Sequence, residues 1–195
     1  MAAHTIAGFR ASKPWILPVS VTSVLLGTQL AWKYTKLFDL QTLLVSMAVV
    51  VFTHSAGNLL NSYSDARRRP YYDRKITPSQ AASCVVFTYG LAVAAFVYLT
   101  KVSSTTTNQE IVLFVSGMLG SVLFGAGLKS VAAGDIVIFS VFGPLIVLFA
   151  YIVQVTGKST PLPVERPSVS LWQIVLYSLP LAFNTEAIVH RYWLR

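Results

Sequence analysis

Six long apolar segments, separated by short polar loops, constrain this chain more than any other feature of its sequence. They cover roughly residues Pro14–Trp32, Leu40–Asn61, Ser79–Thr100, Glu110–Leu128, Asp135–Val155 and Val169–Val189. A helix of about 20 residues crosses a hydrocarbon core about 30 Å thick. Only 11% of the 195 residues are charged, whereas a soluble domain has about 25%. The pattern therefore predicts an all-α protein, a polytopic bundle of transmembrane helices.

The positive charges lie between and beyond these segments. The net charge is +8, but the Lys and Arg residues are scattered among the loops, which is typical of membrane topology and argues against a nucleic-acid partner. Six spans place both termini on one side, and that side carries ten of the 15 Lys and Arg residues. The positive-inside rule therefore predicts a cytosolic N-terminus and a cytosolic face at the end of the second segment.

A narrow polar stripe runs along the second segment. At about 100° per residue, His54, Asn58, Asn61 and Asp65 fall within about 60° of one another on a helix. A stripe of this kind must face something other than lipid. Carboxamide and carboxylate oxygens are ligands suited to Mg²⁺ bound together with substrate phosphates. The basic residues that follow, Arg67, Arg68, Arg69, Arg74 and Lys75, could hold phosphate oxygens, so the residues predict a metal–diphosphate site at a membrane surface.

Two further segments carry glycines with predicted structural roles. In the fourth segment, Gly117, Gly120, Gly125 and Gly127 predict close approach to neighbouring helices. The alternative for the Gly125–Lys129 end is that it opens backbone N–H groups to a ligand. In the fifth, Gly143-Pro144 predicts a kink.

Five stretches together resemble the UbiA superfamily of intramembrane prenyltransferases, specifically its animal branch that makes menaquinone-4. They are Pro14–Thr28, Gly57–Asp65, Lys129–Asp135, Phe142–Gln154 and Asn184–His190. The resemblance extends over nearly the whole chain and implies a single domain, residues 1–195, with helices around a central cavity open to the bilayer. It also implies a Mg²⁺-dependent enzyme that transfers a prenyl group from a prenyl diphosphate to a quinone-type aromatic acceptor. The expected location is a multi-pass position in the endoplasmic reticulum, Golgi or mitochondrial membrane, in contact with membrane lipid.

The resemblance also assigns roles to individual residues. Asn61 and Asp65 match the family's first motif, N-x-x-x-D, and are expected to be catalytic and to hold the metal. Asp73, the only acid in the loop that follows, is the expected third metal ligand; the alternative is that it belongs to the start of the next helix. The residues expected to bind substrate are Asn58, Arg74, Lys129, Asp135 and Glu186.

Most of these residues also have structural interpretations. Asn and Asp are common caps at helix ends, which would explain Asn61, Asp65 and Asp135. Asn58 would then form an interhelical hydrogen bond, and Lys129 would extend along the bilayer to reach the surface. His54 is more simply a hydrogen-bonded core histidine.

The family fold has about nine transmembrane helices, with a second Asp-rich motif directly after the T-E-A-I-x-H sequence. Here His190 is followed only by Arg-Tyr-Trp-Leu-Arg195. We therefore expect six of the nine helices, in a domain that is incomplete at its C-terminus. The alternative is a non-catalytic isoprenoid-binding or regulatory protein that pairs with a membrane-protein partner such as a full-length enzyme. A small transporter would explain the polar stripe but not the matched loops.

Overall fold

The computed structural model of the protein describes residues 12–68, 77–102, 108–128, 133–157 and 169–193. These residues form six helices and contain no strand, which confirms the all-α prediction. The helices are α1 (Leu17–Thr35), α2 (Leu40–Arg68), α3 (Pro78–Val102), α4 (Asn108–Ala126), α5 (Ala133–Thr156) and α6 (Leu171–Trp193). A π-helical turn, Val141–Leu145, divides α5 into two α-helical parts.

Four of these helices, α2 to α5, are long and apolar enough to cross a membrane. Helix α1 is not among the four. It carries Ser20, Ser23 and Thr28, all of which are buried inside the bundle. On the outside of the bundle, large apolar side chains such as Phe87 and Val112 are exposed. Such side chains suit contact with lipid, and the protein is an integral membrane protein.

Contacts between helices define two ends of the bundle. Helix α1 runs antiparallel to α2, because Ser20 contacts His54 while Ser12, before α1, contacts Asn58. Helix α5 runs parallel to α1, and α6 runs antiparallel to both. We call the end where α1 and α5 begin and α2, α4 and α6 finish the Asp65 end, and the opposite end the Asp39 end.

The predicted irregularity at Gly143-Pro144 takes the form of the π-helical turn. Proline has no backbone N–H to continue the regular hydrogen-bonding pattern, and the carbonyl of Phe142 accepts a hydrogen bond of 2.6 Å from Ser23 Oγ of α1. A side chain at Gly143 would overlap with Ala182 of α6. The turn is therefore the place where α1 and α6 both pack against α5.

The predicted close approach of the fourth segment is confirmed between α4 and α2. A Cβ atom at Gly125 would lie 2.8 Å from the Gly57 carbonyl oxygen and 3.0 Å from Leu60 Cβ. Ser64 Oγ also donates a hydrogen bond of 2.9 Å to the Gly125 carbonyl. These contacts hold the ends of α2 and α4 side by side at the Asp65 end.

Candidate functional site

The polar stripe of α2 faces the interior of the bundle. Asn61 is 0% exposed and Asn58 is 6% exposed, while His54 and Asp65 are half-buried. The prediction that this stripe faces away from lipid is confirmed.

Asn61 differs from its neighbours on the stripe, because neither Oδ1 nor Nδ2 of its buried amide has a hydrogen-bond partner in the described part of the chain. Leaving a buried polar group unpaired costs about 1–3 kcal/mol. Asp65, one helical turn further on, does have interaction partners. Asn61 therefore carries hydrogen-bonding capacity that the described protein does not use.

His54 and Asn58 are both tied to the N-terminal part of the chain. Asn58 Nδ2 donates a hydrogen bond of 2.9 Å to the Ser12 carbonyl, and Ser20 Oγ lies 2.6 Å from His54 Nδ1. The His54 ring also meets Phe142 edge-on, with ring centroids 4.6 Å apart. Both residues are therefore hydrogen-bonded within the protein, although Ser12 precedes α1, so the Asn58 bond is not the interhelical one that its structural interpretation required. The sequence did not identify Ser12 and Ser20 as their partners.

An apolar cleft lies beside the polar stripe, between α2, α4 and α5. Its cavity volume is about 90 Å³, and the space including the open solvent at its mouth is about 890 Å³. Its apolar walls include Val50, Phe114, Phe124, Phe142, Leu145 and Phe149, and its polar lining includes Lys13, Thr53, His54, Asn58 and Ser121. The family resemblance implies a central cavity open to the bilayer, but no sequence motif indicated which residues line this cleft. Gly117 and Gly120 also line the cleft. The sequence pattern predicts these glycines to be contact points between helices, not part of a ligand site.

Asp135 and Glu186 lie toward the Asp65 end. Helices α5 and α6 are antiparallel and cross where Gly143 meets Ala182. Glu186 is therefore about one turn, and Asp135 about two turns, from this crossing in the direction of the Asp65 end. Both residues are partly buried and have interaction partners.

The remaining predicted site residues, Asp73, Arg74 and Lys129, lie outside the described residues. Of the basic cluster, Arg67 is exposed, and its guanidinium lies 5.9 Å from the centre of the Tyr63 ring. Together with Lys13 at the cleft, it places positive charge near the end of the polar stripe, where an anion would be attracted.

The described residues at the Asp65 end can hold a metal ion only if a substrate supplies some of its ligands. In the described ranges, no group of three or more His, Cys, Asp and Glu side chains is arranged to hold a metal. Mg²⁺, however, commonly takes only one or two carboxylates, with waters and substrate phosphates as its other ligands. The unpaired Oδ1 of Asn61 and the carboxylate of Asp65, one turn apart on the same face, suit two of those positions.

Comparison with known proteins agrees with the fold and the sequence pattern. The model of the UbiA prenyltransferase family matches residues 20–195. UbiA prenyltransferase domain-containing protein 1 of Rattus norvegicus is 36% identical over 191 residues, which cover 92% of this chain and 53% of the rat protein. The Homo sapiens protein of the same name is 34% identical, with 92% and 53% covered. The chain thus spans about half the length of the curated relatives it matches.

A solved structure of a digeranylgeranylglyceryl phosphate synthase has the same fold. It superposes with a TM-score of 0.67 and 14% sequence identity, covering 94% of this chain and 60% of that protein. At this identity the likeness concerns the fold alone.

Proposed function

Because this chain belongs to the UbiA prenyltransferase family, we propose that it transfers a prenyl group from a prenyl diphosphate to a quinone-type aromatic acceptor, in menaquinone-4 synthesis. The observation that carries the proposal is the apolar cleft that borders the buried polar stripe of α2. An isoprenoid chain is apolar and its diphosphate is strongly anionic, so a substrate of this kind needs such a cleft with a polar, positively charged end.

The diphosphate is assigned to the Asp65 end. Asn61 and Asp65 would hold Mg²⁺, with Asp73 as a third ligand, and Arg74 and Lys129 would contact phosphate oxygens. Mg²⁺, when bound, supplies positive charge that offsets the charge of the leaving diphosphate. Asp135 and Glu186, near the same end, would complete the polar wall of the substrate site.

The isoprenoid chain is assigned to the apolar cleft. The aromatic side chains of Phe114, Phe124 and Phe149 line this cleft and would exclude water from the reacting carbon. Breaking the allylic C–O bond leaves a carbocation-like centre, which water would otherwise trap. Protected in this way, the centre would form a bond with a ring carbon of the aromatic acceptor, and that carbon would lose its proton to the released diphosphate.

An assay of the purified chain tests this proposal. The chain is placed in nanodiscs with Mg²⁺, geranylgeranyl diphosphate and menadiol, and the prenylated quinone is measured by mass spectrometry. We expect product from the wild type and none above background from Asp65→Ala. No product, beside a full-length relative that works under the same conditions, would contradict catalysis by this chain. Binding of geranylgeranyl diphosphate would then support the non-catalytic, isoprenoid-binding alternative.

A further inference from the structure

His54 is held in one orientation at the wall of the cleft. Its Nδ1 lies 2.6 Å from Ser20 Oγ, and its ring meets Phe142 edge-on. Ser20 is 0% exposed, and in the described part of the chain Nδ1 is the only acceptor for its hydroxyl hydrogen. A buried hydroxyl hydrogen without an acceptor would be costly, so Ser20 donates and His54 Nδ1 accepts.

This hydrogen bond determines the tautomer of His54. A neutral imidazole carries one N–H, and when Nδ1 accepts a hydrogen bond the proton must be on Nε2. Nε2 has no hydrogen-bond partner among the described residues. Because His54 lines the cleft, its Nε2–H is a donor that a ligand in the cleft can use.

The position of His54 separates it from the diphosphate end. His54 lies seven residues before Asn61 and eleven before Asp65, which is about 10 Å and about 16 Å along a helix. It is therefore too far away to share a metal ion with Asp65. Around it the cleft is mostly apolar, and the nearby polar side chains of Thr53, Asn58 and Ser121 already donate hydrogen bonds within the protein. An available donor in such a wall recognises a ligand with a ring oxygen rather than a hydrocarbon chain.

We infer that His54 is a positioning residue, whose Nε2–H donates a hydrogen bond to a ring oxygen of the aromatic acceptor while Ser20 holds the imidazole in the required tautomer. The inference rests on the proposed function, because it assigns the place of the acceptor within the same site. A purely structural histidine would contact Ser20 and Phe142 in the same way but would not discriminate between ligands.

A pair of probe ligands tests for the donor directly. The probes are 2,3-dimethyl-1,4-naphthoquinone, whose oxygens can only accept hydrogen bonds, and 2,3-dimethylnaphthalene, which has no oxygen. Their Kd values are measured on the full chain in nanodiscs without Mg²⁺ or prenyl diphosphate, and corrected for binding to empty nanodiscs. We expect the wild type to prefer the quinone by about fivefold to tenfold, the contribution of one hydrogen bond.

Four variants separate recognition from packing. His54→Phe keeps a ring against Phe142 but removes the donor, so the preference should disappear. His54→Gln places an amide N–H near the position of Nε2 and should restore part of it. Ser20→Ala removes the hydrogen bond that fixes the tautomer of His54, so it should lower the preference for the quinone. Thr53→Val is the matched control: Thr53 lines the same cleft, but its hydroxyl already donates to the Val49 carbonyl at 2.8 Å, so the preference should stay at the wild-type value.

The binding test of His54 gives a result whether or not the chain catalyses prenyl transfer. An unchanged preference for the quinone in His54→Phe, or in Ser20→Ala where the Phe variant does not fold, overturns the inference. A wild type that forms no prenylated product contradicts the proposed function, whereas the binding preference still decides the role of His54. In an active chain, His54→Phe should raise KM for menadiol by about fivefold to tenfold with a smaller change in kcat.

Discussion

The two ends of the bundle bury polar side chains in opposite ways. At the Asp39 end, Asp39 Oδ2 accepts hydrogen bonds of 2.7 Å from both the backbone N–H and the hydroxyl of Thr42. Gln154, 3% exposed, accepts from the Asp39 N–H at 3.0 Å and donates to the Asp39 carbonyl at 3.1 Å. Thr156 donates to the carboxyl group of Glu110 in the same region. At the Asp65 end, Asn61 is just as buried, but its amide has no described partner.

The difference separates polar residues that stabilise the fold from polar residues suited to a ligand. A buried polar group whose hydrogen bonds are all formed contributes to stability, and its removal leaves partners unpaired. A buried amide without partners destabilises the folded protein until something binds it. The Asp39 end is therefore interpreted as a structural joint between α2 and α5, and the Asp65 end as a binding site. Four measurements can contradict or refine this contrast.

The largest effect is expected on activity at the Asp65 end. Asp65→Ala should lower the rate of prenyl transfer by about 100-fold or more, because it removes a carboxylate that would help to offset the diphosphate charge. The substituted side chain is only half-buried, so the unfolding free energy should change by at most about 1 kcal/mol. Product formation by mass spectrometry measures the first quantity, and unfolding in detergent measures the second. A rate within tenfold of the wild-type rate would show that Asp65 is not part of the catalytic site.

The next largest effect is expected on stability at the Asp39 end. Gln154→Leu should lower the unfolding free energy by about 1–3 kcal/mol, because the backbone N–H of Asp39 loses its acceptor, while the Asp39 carbonyl keeps the Leu43 N–H at 3.0 Å. Titration of the detergent-solubilised protein with SDS measures it. Gln29→Leu, at an exposed position of α1, is the matched control and should have almost no effect. Equal losses of unfolding free energy in Gln154→Leu and Gln29→Leu would show that the joint contributes little to stability.

Asn61→Leu should have a smaller effect on stability, and of opposite sign. Leucine has the same branched arrangement of side-chain heavy atoms and removes the unpaired amide, so the unfolding free energy should stay constant or rise by up to about 1 kcal/mol. The variant should also lose the rise in Tm that Mg²⁺ and geranylgeranyl diphosphate together produce in the wild type. A destabilisation as large as that of Gln154→Leu would instead make Asn61 a structural residue.

The smallest effect concerns a structural contact within the Asp65 end. Ser64→Ala removes the hydrogen bond to the Gly125 carbonyl and should lower the unfolding free energy by about 0.5–1.5 kcal/mol. Ser83→Ala is the control, since the exposed Ser83 hydroxyl donates only within its own helix, to Ser79. If Ser64→Ala and Ser83→Ala change the unfolding free energy equally, the contact between α2 and α4 depends on the packing at Gly125 rather than on this hydrogen bond.

Features with a local cause could be predicted without the structure. The six helices follow from runs of apolar residues, and the inward-facing stripe of α2 follows from the helical period of Asn58, Asn61 and Asp65. The close approach at Gly125 and the irregularity at Gly143-Pro144 follow from the absence of a side chain and of a backbone N–H. For the candidate site, the sequence indicated which residues of α2 face inward, but not which of them remain available to a ligand.

The sequence alone therefore determined the helices, their order and the polar face of α2, because these depend on residues within one or two turns of each other. Only the tertiary structure decided that His54 is bound by Ser20, that Asn58 is bound by Ser12 and that Asn61 has no described partner. The cleft and the joint at Asp39 are likewise tertiary, since Gln154 reaches Asp39 across 115 residues of sequence. The partner of a buried polar group is set by which helices meet in space, and the local sequence pattern does not encode that.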